Sequence, residues 1–290
     1  MLWRIWKLIQ KSFVIWGRAN SSRMAAALTF FTVLSLAPLL VMAIGIAGFV
    51  FGSQVAEQEV TELVSQFTTD EIAKITGGLM ENASSQPESG LIASTISLVI
   101  LVFAASGVFS QLHDTFNEIW YVPIEDRSGW FFLIRTRIFG IALVFIAGIL
   151  LLATIILSTG LETFGSWWAE FYPNILPWIY FIDKSVAFLL TPLVLSLFFW
   201  ILPVTKVEWR DVWPAGLLTA ALIGLSRYLI GFYLRFSSTS EAYGGAGSLV
   251  VLLIWVYITG MVIFYGAAFS HAWAQIFGSR SGEDEAEVSL

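Results

Sequence analysis

Charged side chains are scarce in this sequence, so each one set inside an apolar run needs a partner. "AALIGLSRYLIGFYLRF" holds Arg227 about halfway along a stretch apolar enough to cross a bilayer. An arginine near the centre of a membrane helix costs roughly 2.5–3.5 kcal/mol on insertion scales. Tyr228 stands next to it, Gly231 follows at four residues and Arg235 at eight. On a helix Arg227, Gly231 and Arg235 lie within about 80° of one another. A second apolar run, "YFIDKSVAF", carries Asp183 and Lys184. Two chemistries fit these residues. In one, Arg227 pairs with Asp183 or with backbone carbonyls and fixes helix packing. In the other, Arg227, Lys184 and Arg235 line an outward-opening cavity that receives an anionic group, because the guanidinium fork suits phosphate or carboxylate. Both can hold, since intramembrane charges face a protein interior or a wet cavity.

Metal and nucleophile chemistry finds little support. A metal nuclease needs several carboxylates or histidines around a cation. The chain has two histidines, His113 and His271, and His113-Asp114 with Glu118 would have to meet His271. The plainer reading is that these polar residues mark helix ends at headgroup level. There is no G-x-x-x-x-G-K-[ST] phosphate loop, no G-x-S-x-G elbow and no cysteine. The sequence therefore predicts no enzyme, no metal and no cofactor. A net charge of -6 leaves no footprint for nucleic acid.

The elements that must position Arg227 follow from composition. Hydrophobic residues make up 57% of the 290 residues and charged residues 12%, and mean hydropathy is +0.79. Soluble domains carry about 25% charged residues. The expected fold is all-α: a polytopic membrane protein with six transmembrane helices, near 27–51, 91–112, 131–159, 178–202, 214–236 and 248–271. Its expected domains are a cytoplasmic interfacial helix over 1–22, a six-helix transmembrane domain over 23–275, and an acidic tail over 276–290. In "MLWRIWKLIQKSFVIWGR", Leu2, Ile5, Trp6, Ile9, Phe13 and Trp16 fall opposite Arg4, Lys7, Lys11 and Arg18. That helix lies in the bilayer interface, or packs against the protein's own cytoplasmic loops. It lacks a cleavage site of the signal-peptide kind.

Lys and Arg in the flanks set the orientation. Arg4 to Arg23, then Arg127, Arg135 and Arg137, then Lys206 and Arg210, and finally Arg280 share one side if there are six spans. Both termini are then cytoplasmic. Trp120, Trp130, Trp209 and Trp213 would form the inner aromatic belt. Residues 53–89 form the sizeable external loop, with a capping box from Thr68 to Glu71 and two short amphipathic helices expected.

Other residues suggest packing or gating. Gly216, Ala220 and Gly224 recur every four residues and permit close backbone approach. Pro38 interrupts the first span and frees a carbonyl, which Thr29, Thr32 or Ser35 can re-satisfy. Pro192 interrupts the fourth span. The likeness of "APLLV" to "TPLVL" hints at an inverted three-plus-three repeat. Serines 94, 97, 106 and 110 either line a polar route or bond to neighbours.

Four segments carry a family likeness. They are "AAALTFFTVLSLAPLL" with Ser35 and Pro38, "LHDTFNEIWYV" with Asn117 and Trp120, "LSRYLIGFYL", and "YGGAGSLVVLLIWVYITGMVIFYGAAFSHAW" with Tyr243, Gly244, Gly247 and Ser248. In this order the chain resembles the YihY/BrkB family of bacterial inner-membrane proteins. The resemblance implies a six-span plasma-membrane protein without a settled activity; the family has carried a ribonuclease label, and members have been linked to serum resistance or lipid movement. The residues favour a non-enzymatic protein that handles an anionic amphiphile or lipid at the outer leaflet. Its partners would be membrane lipids and an envelope lipid-transfer protein. Arg227, Arg235, Lys184, Asp183 and Tyr228 are the binding candidates. Pro38, Ser35, Pro192, Gly224, Gly231, Tyr243, Gly244 and Gly247 are the structural or gating candidates. The rival is a scaffold that docks an envelope partner through 53–89.

Overall fold

The computed structural model describes residues 2–35, 91–123, 176–236 and 247–281, all helical or in short connections. The helices are α1 (Leu2–Arg18), α2 (21–35), α3 (Leu91–Ile119), α4 (Leu176–Ile201), α5 (Trp209–Phe236) and α6 (Gly247–Ile276). Four of them, α3 to α6, are 26 to 30 residues long. A hydrocarbon core of about 30 Å needs about 20 helical residues. By length and hydropathy, Trp209–Tyr233 and Leu249–Ile276 are candidate membrane spans, at mean hydropathy 1.5 and 2.3. The expected spans 91–112, 178–202, 214–236 and 248–271 fall on or within one residue of α3 to α6. The expected span 131–159 and the loop 53–89 lie outside the described residues.

The helix ends have local causes. Asn20 takes a left-handed φ of 48° between α1 and α2, a conformation asparagine tolerates better than most residues. Its N–H donates to Gly17 O at 3.1 Å, and its carbonyl accepts from Arg23 and Met24 at 2.9 and 3.1 Å. One residue thereby closes one helix and opens the next. Tyr121 has φ 51° after α3, and Val122 N returns to Asn117 O at 2.9 Å. That bond is the six-to-one closure of a Schellman end. α6 closes in the same way, with Gly278 N on Trp273 O at 3.0 Å.

α1 has three faces rather than two. Leu8, Ser12 and Ile15 are buried, and at spacings of four and three they form one stripe. Trp3, Trp6 and Phe13 are 72%, 59% and 56% exposed. Arg4, Lys7 and Arg18 are exposed as well. The two expectations for this helix are thus not exclusive. One face packs on protein, while Trp3, Ile5 and Trp6 stay exposed and Phe13 meets the Tyr265 ring at 4.8 Å.

Packing divides the chain into two compact units. The first comprises Met1–Trp16, Phe116–Ala220 and Tyr265–Leu290. Its centre is the last part of α6, where Ala267, Ala268, Ala272 and Ala274 are fully buried. Small residues let helices approach. A Cβ on Gly266 would strike the Thr219 hydroxyl and lie 2.8 Å from Phe199 Cζ. A Cβ on Gly216 would strike the Ser196 hydroxyl and lie 2.5 Å from the Pro192 carbonyl. The close approach expected at Gly216 is therefore present. At Gly224 nothing among the described residues comes within 4 Å, so within those residues the close approach is seen at Gly216.

The second unit comprises Gly17–Thr115 and Ala221–Phe264. Val251, Leu252 and Val256 are buried there against Val33 and Trp255. A Cβ on Gly260 would meet Leu28 at 3.3 Å and Ala25 at 3.4 Å. The Phe31 ring fills the space beside Gly107, with Cε1 2.6 Å from where a Cβ would stand.

Candidate functional site

The residues that carry chemistry fall into two places. The first lies in the first unit, where the "NEIWYV" and "FSHAW" segments meet. His271 Nδ1 is 2.7 Å from Ile119 O. A carbonyl only accepts, so Nδ1 carries the proton. The imidazole stacks on Trp120 at 4.7 Å and 18°, and the Tyr121 ring meets it edge-on at 5.4 Å. Three consecutive residues thus enclose one histidine, and the left-handed Tyr121 provides the turn between them. Arg280 lies over the same indole at 5.3 Å and donates to Thr205 Oγ1 at 2.7 Å. The Asn117 side chain accepts from Val204 N at 2.8 Å, which holds the connection after α4.

Asp211 completes this cluster of fixed polar groups. It is fully buried in the first turn of α5, where a carboxylate suits the positive end of the helix dipole. Ser279 donates to it twice, from its N–H at 3.1 Å and its hydroxyl at 2.5 Å. These interactions tie the chain beyond α6 to the start of α5. A buried polar group costs free energy unless it is bonded, and here the bonds connect helix ends far apart in sequence.

In this arrangement the polar groups are bonded to one another across helix ends. His271 is buried with one ring nitrogen committed to a carbonyl. Among the described residues no three His, Asp or Glu side chains group to hold a metal ion. His113 has Asp114 at 3.7 Å, and Ser110 donates to Asp114 at 3.1 Å within α3. Ser110 therefore bonds to its neighbour. Trp120, expected in an aromatic belt, is instead buried, while Trp209 and Trp213 remain exposed. Sequence reasoning missed Asp211 and Gly266. An acid in a predicted first turn and the small-residue run "GAAFS" were the signs that pointed to them.

The second place is α5 around Arg227. Thr219, Ser226 and Ile230 are buried, while Leu225, Tyr228, Leu229 and Phe232 are exposed. Arg227 is half-buried and falls at the margin of the buried sector on the wheel. It is not a free charge. Tyr228 is 78% exposed, and Gly231 is half-buried. Arg235 follows in α5, and Asp183 and Lys184 lie in α4, but their side chains are outside the described residues, as are Pro38, Tyr243 and Gly244. Gly247 is the first residue of α6. The Ser35 hydroxyl donates to Thr32 O at 2.9 Å and Thr29 to Ala25 O at 2.7 Å, so both bond to the preceding turn. Pro192 is buried, its carbonyl accepts from Ser196 one turn on at 2.7 Å, and Gly216 of α5 packs beside it.

Comparison with known proteins gives one family. Residues 13–288 match the family described as Virulence factor BrkB. A UPF0761 membrane protein of Verminephrobacter eiseniae is 27% identical over 84% of this chain and 56% of its own length. One from Stenotrophomonas maltophilia is 26% identical over 90% of this chain and 60% of its own length. One from Coxiella burnetii is 27% identical over 86% of this chain and 87% of its own. The chain thus spans little more than half the length of the first two relatives. No solved structure matches it. None of these descriptions states a catalytic activity.

Proposed function

The chain belongs to the BrkB family of membrane proteins, and from that premise we propose that it binds and passes on anionic amphiphiles in the bacterial inner membrane without catalysing a reaction. The observation that carries this reading is Arg227. It sits within a 25-residue apolar helix, at the edge of the buried sector, beside a flank of exposed aromatic side chains. A cation in that place meets a headgroup at the border between protein and lipid, and its planar fork donates two hydrogen bonds to phosphate oxygens.

Two further features support the reading. α1 exposes Trp3, Ile5 and Trp6 together with the bases Arg4, Lys7 and Arg18, the residue types with which a helix rests on an anionic leaflet. The first unit also gathers Arg4, Lys7, Lys11, Lys206, Arg210 and Arg280. These are the flanks that the positive-inside rule places in the cytoplasm. The sequence holds no phosphate loop, so movement would be downhill, ion-coupled or driven by a partner.

The test is transfer of anionic lipid between leaflets of vesicles containing the purified chain. Arg227→Gln is expected to slow transfer at least tenfold while keeping the folded yield. Arg227→Lys, which keeps charge but loses the fork, is expected to fall between. Normal transfer in Arg227→Gln overturns the proposal and leaves the scaffold reading.

A further inference from the structure

We propose that the acidic run of Glu283, Asp284, Glu285 and Glu287 docks on the bases at the start of α1 and screens them from an anionic leaflet. This docking rests on the contact of α1 with acidic lipid read above, and not on Arg227. The two ends of the chain meet in the first unit. The Phe13 ring lies 4.8 Å from that of Tyr265, and the Arg4 guanidinium lies over the Phe277 ring at 5.4 Å. Moving forward along α1 is therefore moving back along α6. The two helices run antiparallel, and the first turn of α1 flanks the end of α6. The exit of the chain is fixed at this end. Gly278 N donates to Trp273 O at 3.0 Å, Arg280 N to Ala274 O at 3.0 Å and Ser281 N to Gly278 O at 3.3 Å. Ser279 is held by Asp211, and Arg280 by Thr205 and the Trp120 indole. The residues from Gly282 onward lie outside the described ones, but the point from which they start does not.

Charge and reach select the occupant. Arg4 and Lys7 are exposed and stand three residues apart on one side of α1. Lys11 continues that side, and its charge and that of Arg280 are both felt at His271. The basic side of α1 and Arg280 thus converge. Among the described residues no carboxylate forms an ion pair with Arg4 or Arg280, and the first turn of α1 holds no acid. Acids placed just past α6 face the negative end of its dipole, whereas the adjoining start of α1 is a positive end. An extended chain covers at most about 3.3–3.6 Å per residue, so Glu285, four residues beyond Ser281, reaches up to about 14 Å. Lys7 stands only about 4.5 Å further along α1 than Arg4. A short tether also holds its anions at effective concentrations of about millimolar, so any headgroup must displace them.

The sequence has no cysteine, so the test places two in the full chain. Trp3→Cys, at a residue 72% exposed, is combined with Ala286→Cys, and every base and acid stays in place. The control combines Ala286→Cys with Val14→Cys, at a residue 51% exposed further along α1. A membrane-permeant bismaleimide joins the pairs in phosphatidylcholine vesicles, and each yield is divided by the labelling of the single cysteines. The yield for 3 with 286 is expected to be at least threefold that for 14 with 286. Changing the four acids to their amides, or Arg4 and Lys7 to Gln, is expected to lower it at least threefold. Salt at about 1 M, which shortens the screening length to about 3 Å, is expected to do the same. In phosphatidylglycerol vesicles the yield is expected to fall at least twofold, as headgroups take the bases. A yield unchanged by loss of the acids or the bases overturns the proposal, because closeness alone then accounts for it. So does an equal yield in the two lipids, which means that tail and leaflet do not share the bases. None of these readouts is lipid transfer, so normal transfer in Arg227→Gln removes the headgroup reading and leaves this inference standing.

Discussion

In the first unit most of α6 is enclosed: Ala267, Ala268, Ala272 and Ala274 are fully buried, and His271 and Gln275 are buried beside them, while Tyr265 and Trp273 are half-buried. In the second, the same helix buries Val251, Leu252 and Val256 yet leaves Leu249 48% exposed. The means of cohesion differ accordingly. The first unit joins helix ends through directed bonds, as with Asp211 to Ser279, Asn117 to Val204 and His271 to Ile119. Among the described residues the second shows a narrow apolar seam and aromatic contacts such as Phe31 to Phe103 at 6.4 Å, with a weaker directed bond from Gln111 to the Met24 sulfur. A region held by specific bonds at helix ends keeps one arrangement. A region held by apolar contact along one stripe can exchange neighbours with lipid at little cost, since lipid tails are as apolar as leucine. On the function proposed here, binding would fall to the second region and anchoring to the first.

This contrast can be broken most sharply at Trp120. Trp120→Ala removes the ring that His271 and Arg280 share, and is expected to lower stability in detergent by about 3–5 kcal/mol. Phe30→Ala in the second unit, at an exposed ring, is expected to change it by less than about 0.5 kcal/mol. Comparable losses in thermal or denaturant unfolding would erase the distinction.

Glycines sharpen it at smaller scale. Gly266→Ala drives a methyl into Thr219 and Phe199 and is expected to cost about 1–3 kcal/mol. Gly224→Ala meets no described neighbour and is expected to gain up to about 1 kcal/mol from helix propensity. A cost at Gly224 equal to that at Gly266 would mean that both glycines serve close packing.

Asp211→Asn keeps one acceptor for Ser279 and loses the charge. Its expected cost is about 1–2 kcal/mol. Freed from Asp211, the chain after Gly278 should also become more open to protease, which gel analysis of cleavage would detect. Unchanged cleavage would show that Asp211 does not hold this segment.

The smallest effect is expected on α1. A peptide of residues 1–18 should become helical on vesicles containing acidic lipid, with binding that weakens as salt screens its bases. A peptide that stays unstructured there would make the exposed side of α1 a surface for protein instead.

Much of this contrast was legible in the sequence, for stated reasons. Hydropathy located α3 to α6 because long helices of this kind need long apolar runs. The opposed apolar and basic faces of α1 were visible because periodicity is local. The stripe of Leu8, Ser12 and Ile15 was not, since apolar and small residues beside an apolar face look like part of it until a neighbour is in place. The setting of His271 was also hidden, because its partner Ile119 stands 152 residues away, and no local pattern encodes that distance. The regular spacing of Gly216 and Gly224 could not distinguish the glycine that meets Pro192 from the one that meets nothing described.

The Trp120 indole offers a different kind of access to this molecule. Its N–H is buried and has no acceptor among the described residues. One of thirteen tryptophans, it therefore carries its own isotopic clock. In heavy water its proton exchanges only when the first unit opens, since enclosure keeps solvent away. A slow indole resonance would time that opening in the intact membrane, with no label introduced.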